Sequence, residues 1–509
     1  MNSKLIFGSV ALGLLFSAGC TKRFDTINQN PNSPDHINNE QLFLPAIINN
    51  AVRNYSYISQ FGASVIGDYY ANGYNSGFDD AFTASQTEGS FLWNFFNVLR
   101  DVENYRILSN QKGDKNNEAV GLIMRSWMFQ VMTDNYGDMP YSQAVQGKTS
   151  GIFRPAYDKQ EDIYYALMDS LKKANTLLAS GADPINSDIL MGGSALRWQE
   201  FANGLRLRLL MRMSNVTGAK VDVGAEMSAI AADPATYPVF ATYGDQAAFQ
   251  FLTDNGFEFP AYHNSPIGDY HLSTTLETNL KLLNDPRIAY FAMPTPASLG
   301  TGTPVYAGVP NGIGTAEASW NGGANNQSQE APVLMPLAGY SFSSPIAAQG
   351  MLMSCAEVQF ILAEGKERGL ITTGSDAETY YLKGIHDQFS YDSSRLALMT
   401  LPFPADITAS PAYYTQPAVA YTGTTDEKLY KIRILRGFSM FYTGFEGWSE
   451  WRRTGVPKET KTGPSSAIPQ WPRRIRYPLS EQTVNTVNYN AALAVQGPDD
   501  LVTHVWWNK

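Results

Sequence analysis

Residues 194–213 read SALRWQEFANGLRLRLLMRM. Ser194 stands where a helix N-cap is wanted, and Trp198, Ala202, Leu205 and Leu209 follow at intervals of four, three and four. That spacing lines up one face of an α-helix. Inside it, residues 205–209 (LRLRL) alternate in the manner of a strand. The alternation is brief, whereas the 3.6-residue period continues outside it, so the stretch reads as helix. With this ambiguous segment read as helix, the chain reads as mainly α.

The same period recurs on both sides. Residues 41–60 carry Leu42, Ile47, Ala51 and Tyr55 on related turns, and residues 91–110 carry Phe91, Phe95, Val98, Val102 and Tyr105. Residues 117–134 place Val120, Met124, Trp127, Phe129 and Met132 in a further helix. Asp158 and Glu161 resemble a capping box ahead of Ile163, Leu167, Leu171, Ala174 and Leu178. Helices are also expected over residues 352–368, with Gly369 as a stop, over 376–389, and over about 426–453. Residues 240–350 differ. They are rich in Gly, Asn, Ser, Pro and aromatics without long periodicity. Apolar residues never thin out there, so ordered loops with short strands are expected. No internal repeat of fixed period is found.

The N-terminus has the layout of a secretory signal: Lys4, an apolar run over residues 5–16, then small Ser17, Ala18 and Gly19 before Cys20. The run is shorter than the roughly 20 residues that span a bilayer. The string SAGC resembles a bacterial lipobox, with Ser17 where Leu is usual, so Cys20 is expected to be acylated. Residues 21–40, polar and with two prolines, read as a tether. The expected organisation is a signal peptide over 1–19, a lipidated tether over 20–40 and the folded part over 41–509.

A net charge of −10 argues against nucleic acid, whose binding rests on cations neutralising phosphates. It also argues against electrostatic docking to an anionic membrane. Cys355 sits in an apolar helical setting and reads as a buried, inert thiol. Nucleophile-elbow, phosphate-loop and dinucleotide fingerprints are missing from the sequence, and its five histidines show no metal-ligand spacing. Hence neither cofactor nor metal nor catalysis is expected. The pairs Asp79–Asp80 and Asp499–Asp500 read as solvated loop charge, and Arg452–Arg453 and Arg473–Arg474 as structural pairs.

Aromatics make up 12% of the chain, and some stand where no core face is readable. A sugar offers C–H faces and hydroxyls, which flat rings and amides recognise at low entropic cost. Two segments carry that combination. Residues 68–78 (DYYANGYNSGF) supply Tyr70, Asn72, Tyr74 and Phe78. The 240–350 stretch supplies Tyr262, His263, Trp320, Asn321 and Tyr340. Trp320 is flanked by Ser319 and by Asn321-Gly322-Gly323, which leaves it without a core face and makes it the favoured platform.

Strings spread along the chain resemble the SusD/RagB family of nutrient-binding lipoproteins. They are FDTINQNP (24–31), DNYGDMPY (134–141), WQEFANGLRLR (198–208), NDPR (284–287), SCAEVQFILAE (354–364), YYLKGI (380–385), EWRRTG (450–455), PRRIRYP (472–478) and VWW (505–507). The resemblance implies one domain over 41–509, against the several that length alone would suggest. It implies four diverged tetratricopeptide-like helix pairs beside a loop-rich ligand face. It also implies a partner, a TonB-dependent outer-membrane β-barrel of the SusC kind, and an oligosaccharide or, in some members, a peptide as cargo. DNYGDMPY reads as fixing a helix end, with Tyr136-Gly137 at a turn and Pro140 as a stop. Trp506 and Trp507 are expected to pin the C-terminus to the core. A peptide receptor of the same architecture and a lipid-anchored glycosidase stand as alternatives, the second needing two carboxylates beside the aromatics.

Overall fold

The computed structural model describes residues 43–59, 66–72, 90–252, 258–260, 270–334, 346–457 and 470–509. The signal, Cys20 and the tether lie outside these residues, as do Asp79 and Asp80. The main helices are α1 (Phe43–Ile58), α2 (Phe95–Lys112), α3 (Lys115–Tyr136), α4 (Gln160–Ser180), α5 (Ala195–Met213), α6 (Val223–Ala232), α7 (Thr274–Leu282), α8 (Cys355–Glu367), α9 (Ala377–Leu396), α10 (Thr425–Ser439), α11 (Glu446–Thr454) and α12 (Thr486–Gln496). Consecutive helices pack as pairs: α2 with α3, α4 with α5, α8 with α9, and α10 with α11. The pairs join because α3 packs on α4, α5 on α8, and α8 on α10. Among the described residues, four short strands form two antiparallel ribbons. Strand β1 (Tyr70–Asn72) pairs with β3 (Tyr270–Leu272), and β2 (Ala247–Gln250) pairs with β4 (Gln349–Met353). None of the described helices is long and apolar enough to cross a membrane.

Helix α5 explains why its sequence looked ambiguous. Ser194 caps it, accepting from Arg197 N at 3.3 Å. The helix is buried almost all round, with Arg206 and Arg208 as hidden as Leu205, Leu207 and Leu209. The alternating arginines therefore do not mark a wet face. Arg208 enters a buried ionic network, while Arg206 pairs with Glu226 of α6.

That network gathers several of the strings that carried the resemblance. Arg208 grips Glu357 with two bonds of 2.7 Å and lies 3.4 Å from Glu446. Arg212 binds Glu446 at 2.7 Å and is paired with Asp134. Asp134 also accepts from Tyr164 and, at 3.0 Å, from the Trp507 indole, which pins the C-terminus as expected. Arg452 lies 3.8 Å over the Trp448 ring and donates to the Asp134 carbonyl at 2.8 Å. A second cluster joins Glu364 to Arg433 and Arg453, and Glu450 to Arg436 and Arg453. In NDPR, Arg287 closes on Asp285 with bonds of 2.9 and 2.6 Å and stacks 4.1 Å over Phe389. Burial alone would push the Glu446 carboxyl up, but Arg208 and Arg212 hold it down at about 2. Breaking such a pair by removing one partner strands the other charge in the interior. Cys355 is buried, with its thiol pushed up by burial and by nearby Asp387.

Several expectations are corrected. Residues 158–161 form no capping box: Lys159 is the N-cap of α4 and provides no side-chain bond. The Asp158 carboxylate instead accepts from Tyr141 N and Ser142 N at 2.9 and 2.8 Å. The orphan N–H of Gln160 goes to Asp138, inside DNYGDMPY, at 2.8 Å. The helix expected from 352 begins at Cys355, because residues 349–353 are claimed by strand β4. The helix expected over 376–389 continues to Leu396. The helix expected over 426–453 is broken between α10 and α11. At the break Tyr442 and Gly444 have φ of +59° and +52°, and a Cβ on Gly444 would lie 2.1 Å from the Tyr55 ring. Phe91 is exposed, and the helix of residues 91–110 restarts at Phe95. The 240–350 stretch contains α7 as well as strands. Asp499 is no solvated charge: it binds Arg474 at 3.0 Å and Tyr477 N at 3.1 Å.

Candidate functional site: an aromatic cleft beside helix α7

Strand β3 ends at Leu272, and the next residue turns the chain into α7. Ser273 caps that helix by accepting from Leu276 N at 3.0 Å, while its hydroxyl donates to Asp68 O at 2.5 Å. Residues 307–309 run alongside. Val309 N donates to Leu272 O at 2.7 Å, and Thr274 N donates to Val309 O at 3.1 Å. Gly308 is wedged between them. Its N–H donates to Glu277 Oε2 at 2.8 Å, and a Cβ would lie 2.7 Å from Ser273 O. Only glycine permits this approach.

The Gly308 carbonyl faces the other way and receives Trp320 Nε1 at 3.1 Å. Asn321, Gly322 and Gly323 all have φ above +50°, so the chain reverses sharply after the tryptophan. Gln327, buried, donates to Trp320 O at 2.8 Å and holds the turn from behind. The indole is thus tethered at its nitrogen yet 38% exposed. It forms one wall of a cleft of about 410 Å³, with Asn321, Asn326, Tyr306, Thr274 and the Glu277–Lys281 pair among the lining groups. Lys281 binds Glu277 Oε1 at 2.5 Å and the Tyr306 carbonyl at 2.9 Å, so the two charges compensate each other. Tyr306 is half-buried and its hydroxyl is pushed up by burial. A flat ring, two primary amides and hydroxyls around a near-neutral hollow suit a neutral polyhydroxylated ligand.

Of the residues expected at a ligand site, the structure brings Trp320 and Asn321 together. Tyr70 is corrected. It is fully buried, its hydroxyl donates to Phe291 O and accepts from Ala331 N, both at 2.8 Å, and its ring meets Phe441 edge-on. Its place is in the core, where the ring has no face to offer. Asn72 lies on β1 opposite Tyr270. Tyr74, Phe78, Tyr262, His263 and Tyr340 lie outside the described residues. Sequence reading missed Tyr306, Asn326 and the Glu277–Lys281 pair. Only that pair had a readable signal, its i, i+4 spacing. Among the described residues lining the cleft, Glu277 is the only carboxylate, whereas glycoside hydrolysis ordinarily uses two. Among the described residues, no three His, Cys, Asp or Glu side chains gather as a metal-ligand set.

A family model described as starch-binding, associating with the outer membrane, matches residues 31–478. Among solved structures, a SusD homologue from Bacteroides fragilis is similar with a TM-score of 0.78 at 26% identity, covering 92% of this chain and 99% of that one. A chitin-binding protein is similar with a TM-score of 0.75 at 25% identity, covering 92% and 100%. A chitin-binding SusD homologue from Flavobacterium johnsoniae has a TM-score of 0.74 at 24% identity, covering 92% and 98%. No curated protein matches the chain.

Proposed function

The chain belongs to this SusD-like family of outer-membrane-associated, starch-binding proteins, and on that premise we propose that it is a cell-surface receptor for a neutral oligosaccharide. The exposed, tethered indole of Trp320, in one cleft with two asparagine amides, carries the reading. Starch fragments are suggested by the family's description, and chitin fragments by the similar chitin-binding protein. The receptor is anchored through acylated Cys20 and hands its ligand to a TonB-dependent barrel of the SusC kind, with residues 21–40 as the leash between lipid and fold. It carries out no chemistry on the ligand.

Calorimetric titration of residues 21–509 with malto-oligosaccharides, chito-oligosaccharides and oligopeptides tests the ligand class. We expect a glycan to bind and Trp320→Ala to weaken it at least tenfold, about 1.4 kcal/mol. Binding to peptides alone would overturn the reading, and unchanged affinity in Trp320→Ala would remove the cleft from it. For the anchor, the mass of the mature chain from membranes should show acylation that Cys20→Ala abolishes.

A further inference from the structure

The most exposed large apolar side chains among the described residues are Val487, at 82%, and Phe153, at 78%. They lie on one corner of the molecule. Asn485 donates to Pro155 O at 2.9 Å and Asn488 to Arg154 O at 3.0 Å, so the segment that carries Phe153 is stitched to the start of α12. Leu479 and Val484, on the helical turn just before α12, are exposed as well. Helix α12 turns Tyr489 and Ala492 inward. Its outer side shows Val487, Ala491 and Val495 at intervals of four, a line about 12 Å long. A surface helix ordinarily carries charge on that side, and α12 has no charged residue at all. Clustered exposed apolar groups mark a contact with something less polar than water.

Charge narrows down what that contact is. Residues 142–154 and 479–497 hold Lys148, Arg154 and one acid, Glu481. Glu481 is occupied, accepting from Tyr157 at 2.8 Å and from Asn485 at 3.2 Å. The Lys148 and Arg154 side chains are exposed and have no partner among the described residues. In a chain of net charge −10 this corner is locally basic. A second copy of the chain would bring cation against cation here, which disfavours self-association. The charge calls instead for an anionic partner with an apolar layer behind it. A protruding ring between two cations of one loop suits a phosphate-bearing lipid surface. The cations stay among the headgroups while the apolar groups enter the acyl boundary. The family's association with the outer membrane points the same way. We propose that this corner docks the protein on the lipid surface of that membrane, through Phe153, Val487, Lys148 and Arg154.

The test is co-flotation of residues 21–509 with vesicles, since this stretch lacks Cys20 and carries no acyl chain. Vesicles of equal parts phosphatidylglycerol and phosphatidylcholine should carry the protein up, and more of it at low salt than at high salt. Vesicles of phosphatidylcholine alone should carry less. Phe153→Ser combined with Val487→Ser should weaken partitioning onto the mixed vesicles about tenfold. Lys148→Gln combined with Arg154→Gln should lower it to the level seen on phosphatidylcholine. All four positions are exposed, so the unfolding midpoint and glycan affinity should match the wild type. The idea fails if the wild type floats with neither vesicle, or if both double variants float as it does. It also fails if the corner proves to bury a dimer, seen as a sedimenting dimer that Phe153→Ser and Val487→Ser disperse.

Discussion

Asp134 receives hydrogen bonds from Gln130, Tyr164, Arg212 and Trp507, side chains drawn from three helices and the C-terminus. Glu446, two bonds away through Arg212, plays the matching part for α11. The Glu446 carboxylate is held as an anion against its burial by the Arg208 and Arg212 guanidinium groups that face it. Glu446→Gln should therefore cost about 3–5 kcal/mol at neutral pH, read from denaturant unfolding. The sign of its pH dependence follows from the depressed pKa. The native carboxyl titrates at about 2 and the free one near 4.5. Its contribution is present above about 4.5 and is lost as pH falls toward 2. The gap between the wild type and Glu446→Gln should accordingly shrink across that window. A gap of the same size at pH 7 and pH 2.5 would show that the charge is not what matters. At the Trp320 cleft the decisive residue is Gly308. Its missing side chain lets one peptide unit serve Glu277 on one side and Trp320 on the other.

Helix ends show how elements borrow from one another. Helix α4 has no cap of its own and takes one from Asp138, which follows α3. Asp138→Ala should cost about 1 kcal/mol and Asp138→Asn much less, measured as a shift in the unfolding midpoint. Equal losses in the two would point to packing rather than capping. The junction between α10 and α11 is a break for a different reason. Its residues have helical periodicity, but Tyr442 and Gly444 take positive φ, and the Tyr55 ring stands where a side chain at Gly444 would go. Helix α7 and the 307–309 strap behave as one unit, since the cap residue Ser273 and Val309 are bridged. The cleft is therefore built on a helix terminus and a strap, with the tryptophan turn laid over them.

At the scale of the whole molecule, the C-terminus closes the helical stack. Trp507 is buried, bonds Asp134, and lies against Arg212 and Arg452, whose guanidinium carbons are 5.4 and 4.8 Å from its ring. Trp507→Ala should cost about 3–5 kcal/mol, and thermal unfolding should show it. Glycan affinity should be unchanged, because the cleft lies on other elements. A loss of affinity as large as that of Trp320→Ala would mean that stack and cleft are coupled. Helix content and most helix positions were readable from the 3.6-residue period, because burial against neighbours imposes that period on the chain. Trp320 was readable because nothing in its flanks could bury it. What the sequence could not decide is where a polar or aromatic side chain points once distant segments meet. Tyr70 and Trp320 sit in similar polar surroundings along the chain. One is sealed by Phe291, Ala331 and Phe441, and the other stays open above Gly308. Arg206 and Arg208 are two residues apart on one helix, yet one pairs with Glu226 of α6 and the other with Glu357 of α8. Local sequence sets the helix. The partners that satisfy a buried charge or leave a ring exposed come from residues tens to hundreds of positions away, so only the assembled fold determines them.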